Sequence, residues 1–272
     1  MQKLFSIHKP GSGGQSQTQV LHLEIGVNHI GLQVYNTDDN QITSIEYYQT
    51  KTNNFLFLDD AVTAVKNYSI LLDKIYGKIK ISLLQTDALL VPMELFDASE
   101  ARKKLNEIYK TEAATFFNDM NAAANIVVAY SLPSISEKYI NNNFYNAQIC
   151  HSYSAILSSI KNNTTSSFFK LIFHGSYFTV AAVKQQQLQI LQTYNYVAAE
   201  DVLYYLLAIQ QQLAFGADET ALYISGLINK DSALFALMQQ YFHTIQFEVA
   251  NKNLIEESMT EDLPLHYFTQ AV

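Results

Sequence analysis

The stretch VLHLEIGVNHIGLQVYNTDDNQITSIEYYQ, residues 20–49, decides the fold. Apolar and polar residues alternate along it in three runs, and alternation with a period of two predicts β-strands. Two turn-forming triplets, Gly26-Val27-Asn28 and Asp38-Asp39-Asn40, separate the runs. Three strands joined by tight turns predict an antiparallel meander. The predicted strands are Val20–Ile25, His29–Asn36 and Gln41–Gln49.

A long helix is predicted directly after the meander, over Leu58–Tyr76, because its apolar residues recur at helical spacing. Asp59 or Asp60 is suited to cap its start, and Gly77 to end it in the left-handed conformation. A capping-box spacing at Asp97 and Glu100 predicts a second helix. The remaining predicted elements of this half are strands at Lys78–Leu84, Asn125–Tyr130 and Asn146–His151, a short extended piece at Leu89–Val91, and helices after Pro133 and over Ser154–Lys161.

The second half of the chain repeats this order of elements. Two turns, His174-Gly175-Ser176 and Gln185–Gln187, separate three predicted strands, and a helix follows over Ala198–Phe215. Aligning the halves pairs Leu23-Glu24-Ile25 with Leu171-Ile172-Phe173. A repeat of element order with little residue identity indicates duplication of a whole subdomain. The predicted strands are Phe168–Phe173, Tyr177–Lys184, Leu188–Tyr194, Ala221–Ser225 before the Gly226 turn, and Thr244–Val249.

The domain organisation follows from this repeat. A Gly/Ser/Gln-rich stretch, Gly11–Gln19, predicts that residues 1–19 form a flexible tail. The break NNTTS at 162–166 separates a first subdomain, 20–165, from a second, 166–272, which ends in a C-terminal tail. Each meander followed by β-α-β units predicts a mixed sheet covered by helices, so the fold class is α/β.

Composition narrows the range of functions. Of the 272 residues 49% are hydrophobic and 15% are charged, which favours a packed core over disorder. The net charge of −8, with only 17 Lys and Arg residues, excludes an electrostatic attraction to a phosphate backbone. We therefore expect no nucleic-acid partner.

The compartment is predicted from cysteine use and apolar runs. Cys150 is the single cysteine, so an intrachain disulfide is impossible and a reducing compartment is favoured. The first ten residues contain no apolar stretch of signal-peptide length, and no run in the chain is long enough to span a bilayer. The sequence predicts a cytoplasmic protein without a membrane span.

The element order resembles the duplicated ribonuclease-H-like fold of the actin-like ATPases, the sugar kinases and the actin-like pilus-assembly and cell-division proteins. This resemblance covers about Val20 to Ala250 and implies two mixed-sheet subdomains around a cleft. More specifically, the sequence resembles a bacterial family of unknown function within that superfamily. The stretches that carry this resemblance are LVPMELF at 90–96, AEDVLYYLL at 199–207 and DLPLHYF at 262–268.

The superfamily resemblance implies nucleotide phosphates at two β-hairpin turns, each with an Asp, one residue and a Gly. The acid organises Mg²⁺ through water, and the glycine lets backbone N–H groups approach phosphate. The first turn here reads Glu24-Ile25-Gly26, and the second reads Phe173-His174-Gly175, without an acid. The implied adenosine motif has a pair of glycines, whereas Ile224-Ser225-Gly226-Leu227 has one. The remnant nucleotide-binding positions are Glu24, Gly26, Asn28, His174, Gly175, Ser176, Ser225 and Gly226.

Two interpretations of these side chains stay open. Glu24 points to the face opposite Leu23 and Ile25, where it is either a remnant metal-organising acid or a solvated residue on an outer strand, and the second interpretation is favoured slightly. His29 and His174 stand beside the hairpin turns, where the prediction is that they are solvated. No catalytic residue and no resident metal site are predicted, because the chain has no HExxH, Cys pair or Walker A loop.

These observations leave three functional hypotheses. The leading one is a non-enzymatic, degenerate actin-like protein, a binding or scaffold component that has a protein partner and needs no cofactor. The second is a nucleotide-dependent switch or weak ATPase that binds ATP with magnesium. A small-molecule kinase ranks last, because phosphoryl transfer requires a base and a metal-holding acid. All three depend on resemblance in fold.

Overall fold

The computed structural model of the chain describes residues 1–9, 16–51, 55, 58–110, 114–160, 167–216, 220–249, 254–255 and 263–268. The chain divides into two compact units. Of the described residues, the first unit contains 1–159 and 254–255, and the second contains 160–249 and 263–268. The division follows Ser159, a little before the predicted boundary at 165, and the NNTTS break itself lies outside the described residues.

The first unit contains nine of the strands and four of the α-helices found in the described residues. The strands are β1 (Gln2–His8), β2 (Gln19–Gly26), β3 (His29–Asn36), β4 (Ile42–Gln49), β5 (Lys78–Leu84), β6 (Ala88–Pro92), β7 (Ala114–Asn121), β8 (Ile126–Pro133) and β9 (Gln148–His151). The helices are α1 (Leu58–Lys66), α2 (Ala98–Tyr109), α3 (Ser134–Asn143) and α4 (Ser152–Ser159).

The main sheet of this unit has the strand order β1-β4-β3-β2-β5-β9. Strands β2, β3 and β4 are antiparallel neighbours, which confirms the predicted meander. Strands β5 and β9 extend the sheet in parallel from β2, so the sheet is mixed. Leu21, Leu23 and Ile25 on one face of β2 are buried in the core. This alternation is the reason that β2 was identifiable from sequence.

The N-terminus differs from the predicted flexible tail at residues 1–19. Strand β1 pairs antiparallel with β4 from Gln2 to His8, with a bulge between Lys3 and Phe5. A short 3-10 turn spans Ser16–Thr18, and β2 begins at Gln19. The Gly/Ser-rich residues 11–15 lie outside the described residues. The pairing covers the edge of β4, a contact between distant segments that no local pattern encodes.

The helix after the meander is shorter than predicted, because α1 ends at Lys66 and not at Tyr76. The Ser69 hydroxyl accepts hydrogen bonds from the N–H groups of Leu71 and Leu72, at 3.0 and 3.3 Å, and so replaces helix with turns. Gly77 does not adopt the left-handed conformation. A side chain there would meet the carbonyl oxygen of Gln17 at 2.2 Å, so close backbone contact is what requires the glycine.

A three-stranded antiparallel sheet, ordered β6-β8-β7, lies between β5 and β9 in the chain. Strand β7 was not predicted from the sequence, because it mixes polar and apolar residues without clear alternation. Helix α2 begins as predicted, because Asp97 accepts hydrogen bonds from the N–H groups of Ser99 and Glu100. Ala101 and Leu105 of α2 pack with Ala129 of β8 in a local core.

The second unit forms a five-stranded mixed sheet with the order β12-β11-β10-β13-β14. This order repeats β4-β3-β2-β5-β9 of the first unit and confirms the duplicated ribonuclease-H-like arrangement. In the described residues of both units, no helix is long and apolar enough to cross a membrane. The elements are β10 (Ser167–Phe173), β11 (Tyr177–Lys184), β12 (Gln187–Asn195), α5 (Ala199–Gln212), β13 (Thr220–Gly226), α6 (Ala233–Met238) and β14 (Thr244–Phe247).

Candidate functional site

The first hairpin turn stands between β2 and β3, where Ile25 pairs with Ile30 and residues 26–29 form the connection. Glu24 lies one residue before this closing pair, on the face opposite Leu23 and Ile25, as predicted. Strand β2 has neighbours on both sides, β3 and β5, and the Glu24 side chain is 15% exposed. The interpretation of Glu24 as a solvated residue on an outer strand is therefore wrong.

Glu24 is held by a histidine from the adjoining strand. The His29 Nε2–H donates to Glu24 Oε1 at 2.8 Å, and the His29 side chain is 1% exposed. The prediction that His29 is solvated is wrong. That prediction rested on the position of His29 beside a turn. In the structure the His29 side chain contacts Glu24 of β2 and Tyr47 of β4 and is buried.

Aromatic rings continue this contact across the sheet. The His29 ring stacks on Tyr47 of β4 at 5.0 Å and 6°, and Tyr47 stacks on Phe5 of β1 at 5.5 Å. Burial, and next the charge of Glu24, raise the pKa of Tyr47 well above its usual value, so Tyr47 stays a neutral phenol. Gly31 lies between Glu24 and Tyr47, where a methyl group would approach the Tyr47 ring to 3.6 Å. Glu24, His29, Tyr47 and Phe5 thus form a continuous row of contacts across β2, β3, β4 and β1.

Gly26 and Asn28 complete the predicted positions in this hairpin. Asn28 is buried, and its carbonyl oxygen accepts a hydrogen bond from the Thr50 N–H at 2.8 Å, which ties the turn to the end of β4. Gly26 ends β2 and lines a small pocket with Thr50 and the first turn of α1. Glu24, Gly26 and Asn28 therefore lie together at the carboxyl end of β2.

The second hairpin has the same geometry with different side chains. Phe173 pairs with Phe178, and residues 174–177 form the connection, so Phe173 corresponds to Ile25 and Ile172 corresponds to Glu24. The comparison of Phe173 with Glu24 in the sequence motif was therefore offset by one residue, whereas the alignment of the two halves paired Glu24 with Ile172 correctly. Ile172 is 3% exposed and pairs with Thr179 and Ser225. An aliphatic side chain stands where the first hairpin has its carboxylate.

Phe173 packs in the hydrophobic core of the second unit. Its ring stacks on Phe178 at 5.6 Å and meets Tyr196 edge-on at 6.1 Å, and it belongs to the cluster that α5 and α6 complete. Burial of an aromatic ring of this size stabilises a fold by about 1.5–3 kcal/mol. The aromatic residue at this position is explained by packing between the sheet and the helices.

His174, Gly175 and Ser176 form the second turn. The His174 N–H donates to the carbonyl oxygen of Tyr177 at 2.9 Å, and its ring stacks on Tyr177 at 4.9 Å. His174 is 3% exposed, so the prediction of a solvated side chain is wrong here too. Gly175 has φ +89°, which favours glycine at this point of the turn. The Ser176 carbonyl oxygen accepts the Tyr196 N–H at 3.0 Å.

The turn at Ser225-Gly226 lies against the same end of β10. Gly226 has φ +81°, and a side chain there would meet the Phe173 carbonyl oxygen at 2.2 Å. The next residue, Leu227, donates its N–H to that oxygen at 2.8 Å. Ser225 is buried and donates its hydroxyl to the Leu171 carbonyl oxygen at 3.4 Å. The predicted positions of the second unit are thus brought together at the carboxyl ends of β10 and β13.

These contacts limit what the two hairpins do chemically. At the position of the second hairpin that matches Glu24, Ile172 offers no oxygen ligand for a hydrated magnesium ion. The first hairpin offers one carboxylate, and His29 already binds one of its oxygens. The Glu24–His29 contact was not predicted from the sequence. Glu24 pairs directly with Gly31, and His29 is its diagonal neighbour on the same face of the sheet, a position that only the register of β2 and β3 reveals.

Comparison with solved structures identifies proteins of similar fold. A Bacteroides thetaiotaomicron protein with an actin-like ATPase fold and unknown function superposes with a TM-score of 0.75 at 17% identity, over 88% of this chain and 94% of that one. A chain of the PilM–PilN type IV pilus biogenesis complex superposes with a TM-score of 0.55 at 10% identity, over 94% and 97% of the two chains. The fold is therefore the actin-like ATPase fold.

Comparison of the sequence with curated proteins found no match. The comparison with family models found one that covers residues 11–245, which is most of the chain. Its description is "Protein of unknown function (DUF3822)". This confirms the resemblance to a family of unknown function. The chain belongs to the DUF3822 family.

Proposed function

We propose that this protein is a binding or scaffold component that has kept the actin-like fold without nucleotide hydrolysis. The observation that carries the proposal is the buried Ile172 at the position of the second hairpin that corresponds to Glu24. Phosphoryl transfer depends on metal ions that neutralise charge on the phosphates, and carboxylates hold those ions. A single acid, already bonded to His29, is a poor basis for that chemistry.

The proposed ligand is another protein. One structure of this fold is a complex of PilM with PilN, so the fold is compatible with protein binding. The net charge of −8 disfavours nucleic acid as the partner. The single cysteine, Cys150, is half-buried, and burial raises the pKa of its thiol, so it stays an unreactive thiol suited to the reducing cytoplasm.

A nucleotide-dependent switch is the second candidate, and one observation favours it. Glu24 retains a carboxylate at the carboxyl end of β2, close in sequence to Gly26, where the superfamily resemblance implies phosphate binding. A site of this kind would bind ATP with magnesium weakly and would rely on Glu24. This candidate therefore predicts an affinity that depends on one carboxylate.

Thermal unfolding in millimolar Mg-ATP, Mg-ADP and Mg²⁺ alone distinguishes the two candidates. We expect no rise in the midpoint with nucleotide beyond that with Mg²⁺. A ligand that binds only the folded state at 100 times its Kd adds about 2.7 kcal/mol, which is readily detected. The matched variant is Glu24→Gln, which keeps the shape and removes the charge. A nucleotide-dependent rise that Glu24→Gln abolishes would replace the scaffold proposal with the switch.

A further inference from the structure

The outer edge of β12 lacks a covering strand among the residues that the structure describes. Strand β12 is the first strand of its sheet, and β4 has the equivalent place in the duplicated first unit. There β1 pairs with β4 along Gln2–His8 and satisfies its edge. The equivalent strand edge is thus covered by β1 in the first unit and by no strand in the described residues of the second unit.

The other edge strands each carry a feature that discourages pairing with a further strand. Strands β9 and β14 have only four residues, and β6 has five and ends in Pro92. Strand β1 contains Lys3 beside a bulge, and β7 contains the inward-facing charge of Asp119. Strand β12 has nine residues, QLQILQTYN, and none is charged or a proline. Its register shift lies between Leu188 and Ile190, which leaves 190–195 regular.

The backbone direction along 190–195 follows from one hydrogen bond. Tyr196 donates its N–H to the carbonyl oxygen of Ser176, the residue before β11, at 3.0 Å. Alternate residues of a strand direct their N–H and C=O groups the same way, so Tyr194 faces β11 as well. Leu191 and Asn195 consequently direct their backbone groups away from β11, toward the outer edge of the sheet.

We propose that β12 pairs antiparallel with β12 of a second copy of this chain, so that two five-stranded sheets join around a two-fold axis. A two-fold axis brings the start of one β12 beside the end of the other. Lys184 lies at the start, where it pairs with Gln187, and Glu200 and Asp201 follow the end. The uncharged strand creates no repulsion along the contact. The Lys184 ammonium donates to the carbonyl oxygens of Leu213 and Ala214, at 2.6 and 3.2 Å, so it adds a positive potential at the start of the strand and not a direct ion pair, while the acidic residues make the other end negative.

Exposed apolar side chains extend this edge beyond the backbone. Val197, two residues after β12, is 98% exposed, and Tyr204 of α5 is 69% exposed. Tyr204 contacts Tyr205 at 5.7 Å between ring centres, and Tyr205 stacks on Tyr194 of β12 at 4.2 Å. Tyrosines are enriched in protein interfaces because they bury a large apolar area at low entropic cost. The second copy would cover these rings together with the strand edge.

Sedimentation velocity of the full chain over a range of concentrations tests the proposal. We expect a concentration-dependent dimer, and Gln192→Lys should weaken it at least tenfold, because a two-fold axis near the middle of 190–195 brings the two lysines close together. Gln240→Lys is the matched control, since it adds the same charge in the connection between α6 and β14, at the opposite edge of the sheet. A wild-type chain that stays monomeric would overturn the proposal, as would a dimer that Gln192→Lys leaves intact.

A mixed sample separates loss of the contact from loss of folding. Gln192→Lys and Gln192→Glu should each be monomeric, and an equal mixture should recover the dimer because opposite charges then face each other. Recovery also shows that both variants fold. Two variants that are folded by circular dichroism but fail to pair when mixed would contradict the β12 contact. Self-association through β12 does not depend on whether the hairpins bind nucleotide, so its outcome is independent of the nucleotide experiment.

Discussion

Gly226 illustrates how a single residue is fixed by backbone contact. Its φ of +81° and the 2.2 Å approach of the Phe173 oxygen leave no room for a side chain. We expect Gly226→Ala to lower the free energy of unfolding by more than about 2 kcal/mol, because a left-handed alanine alone costs roughly 1–2 kcal/mol. Urea denaturation measures this. Gly31→Ala is the matched control, since its methyl group would find ordinary contacts at 3.6 Å, and a similar loss in both variants would contradict the argument.

His151 gives the fold a dependence on pH. It is fully buried, its Nε2–H donates to the Gln85 carbonyl oxygen at 3.1 Å, and its Nδ1 accepts the Tyr153 N–H. Burial lowers its pKa from 6.5 to about 3. Between pH 6.5 and about pH 3, His151 is protonated in the unfolded chain but neutral in the folded chain. The contribution of His151 to the free energy of unfolding is therefore complete above pH 6.5 and falls as the pH decreases.

The test compares urea denaturation at about pH 7 and pH 5 for the wild type and for His151→Asn. One such histidine removes at most about 1.4 kcal/mol per pH unit, or about 2 kcal/mol by pH 5. The asparagine side chain of the variant does not titrate, so we expect the stability of the variant to fall less over this interval. Other groups, including His22, whose pKa burial also lowers, contribute equally to both proteins. Equal losses of stability in the two proteins would contradict this prediction, because they would show that protonation of His151 does not destabilise the fold.

At the scale of residues, the sequence located the candidate positions but not their contacts. Glu24 and Gly226 were placed at the correct strand ends, because turns and alternation are local signals. The Glu24–His29 pair and the aromatic contact with Tyr47 depend on the register between strands. The motif comparison chose Phe173 and not Ile172 because a glycine was used as the anchor, whereas the closing pairs of the hairpins define the correspondence.

At the scale of elements, β1 is the segment whose pairing with β4 was not predicted from the sequence. Ser6 pairs with Glu46 and Ile7 with Ile45, and His8 Nε2 lies 3.4 Å from the buried Glu46 carboxylate. Deletion of residues 1–8 should lower the free energy of unfolding by about 2–3 kcal/mol, because it exposes one strand edge and the apolar surface beneath it. A flexible tail could be removed without loss, so unchanged stability in urea would contradict the pairing.

Single substitutions in β1 refine this test. Ile7→Asp places a charge against Ile45, which is 6% exposed, and should reproduce part of the loss caused by the deletion. Leu4→Asp is the control, because Leu4 lies at the bulge and is 38% exposed.

The end of α1 was also predicted wrongly. The apolar residues keep helical spacing to Tyr76, but the Ser69 hydroxyl accepts a hydrogen bond from a backbone N–H group that a continued helix would need, so α1 ends at Lys66.

At the scale of the whole molecule, duplication was the most informative signal in the sequence. Two meanders, each followed by parallel strands, predicted the paired strand orders that the two sheets display. The order survives with little residue identity because it depends on alternation and on turns, which many sequences satisfy. The inserted sheet of β6, β8 and β7 interrupts only the first unit, and its weak alternation in β7 explains why one of its strands was missed.

The glycine at 226 has a consequence for how activities are inferred for chains of this fold. The Phe173 oxygen excludes every larger residue from that place, whatever the protein binds. A chain of this fold therefore needs a glycine here whether or not it binds a nucleotide. A pattern search that scores this glycine as a mark of adenosine recognition would score a requirement of folding. An acid at the position of Ile172 is the better diagnostic, because the second hairpin forms here with an isoleucine in that place.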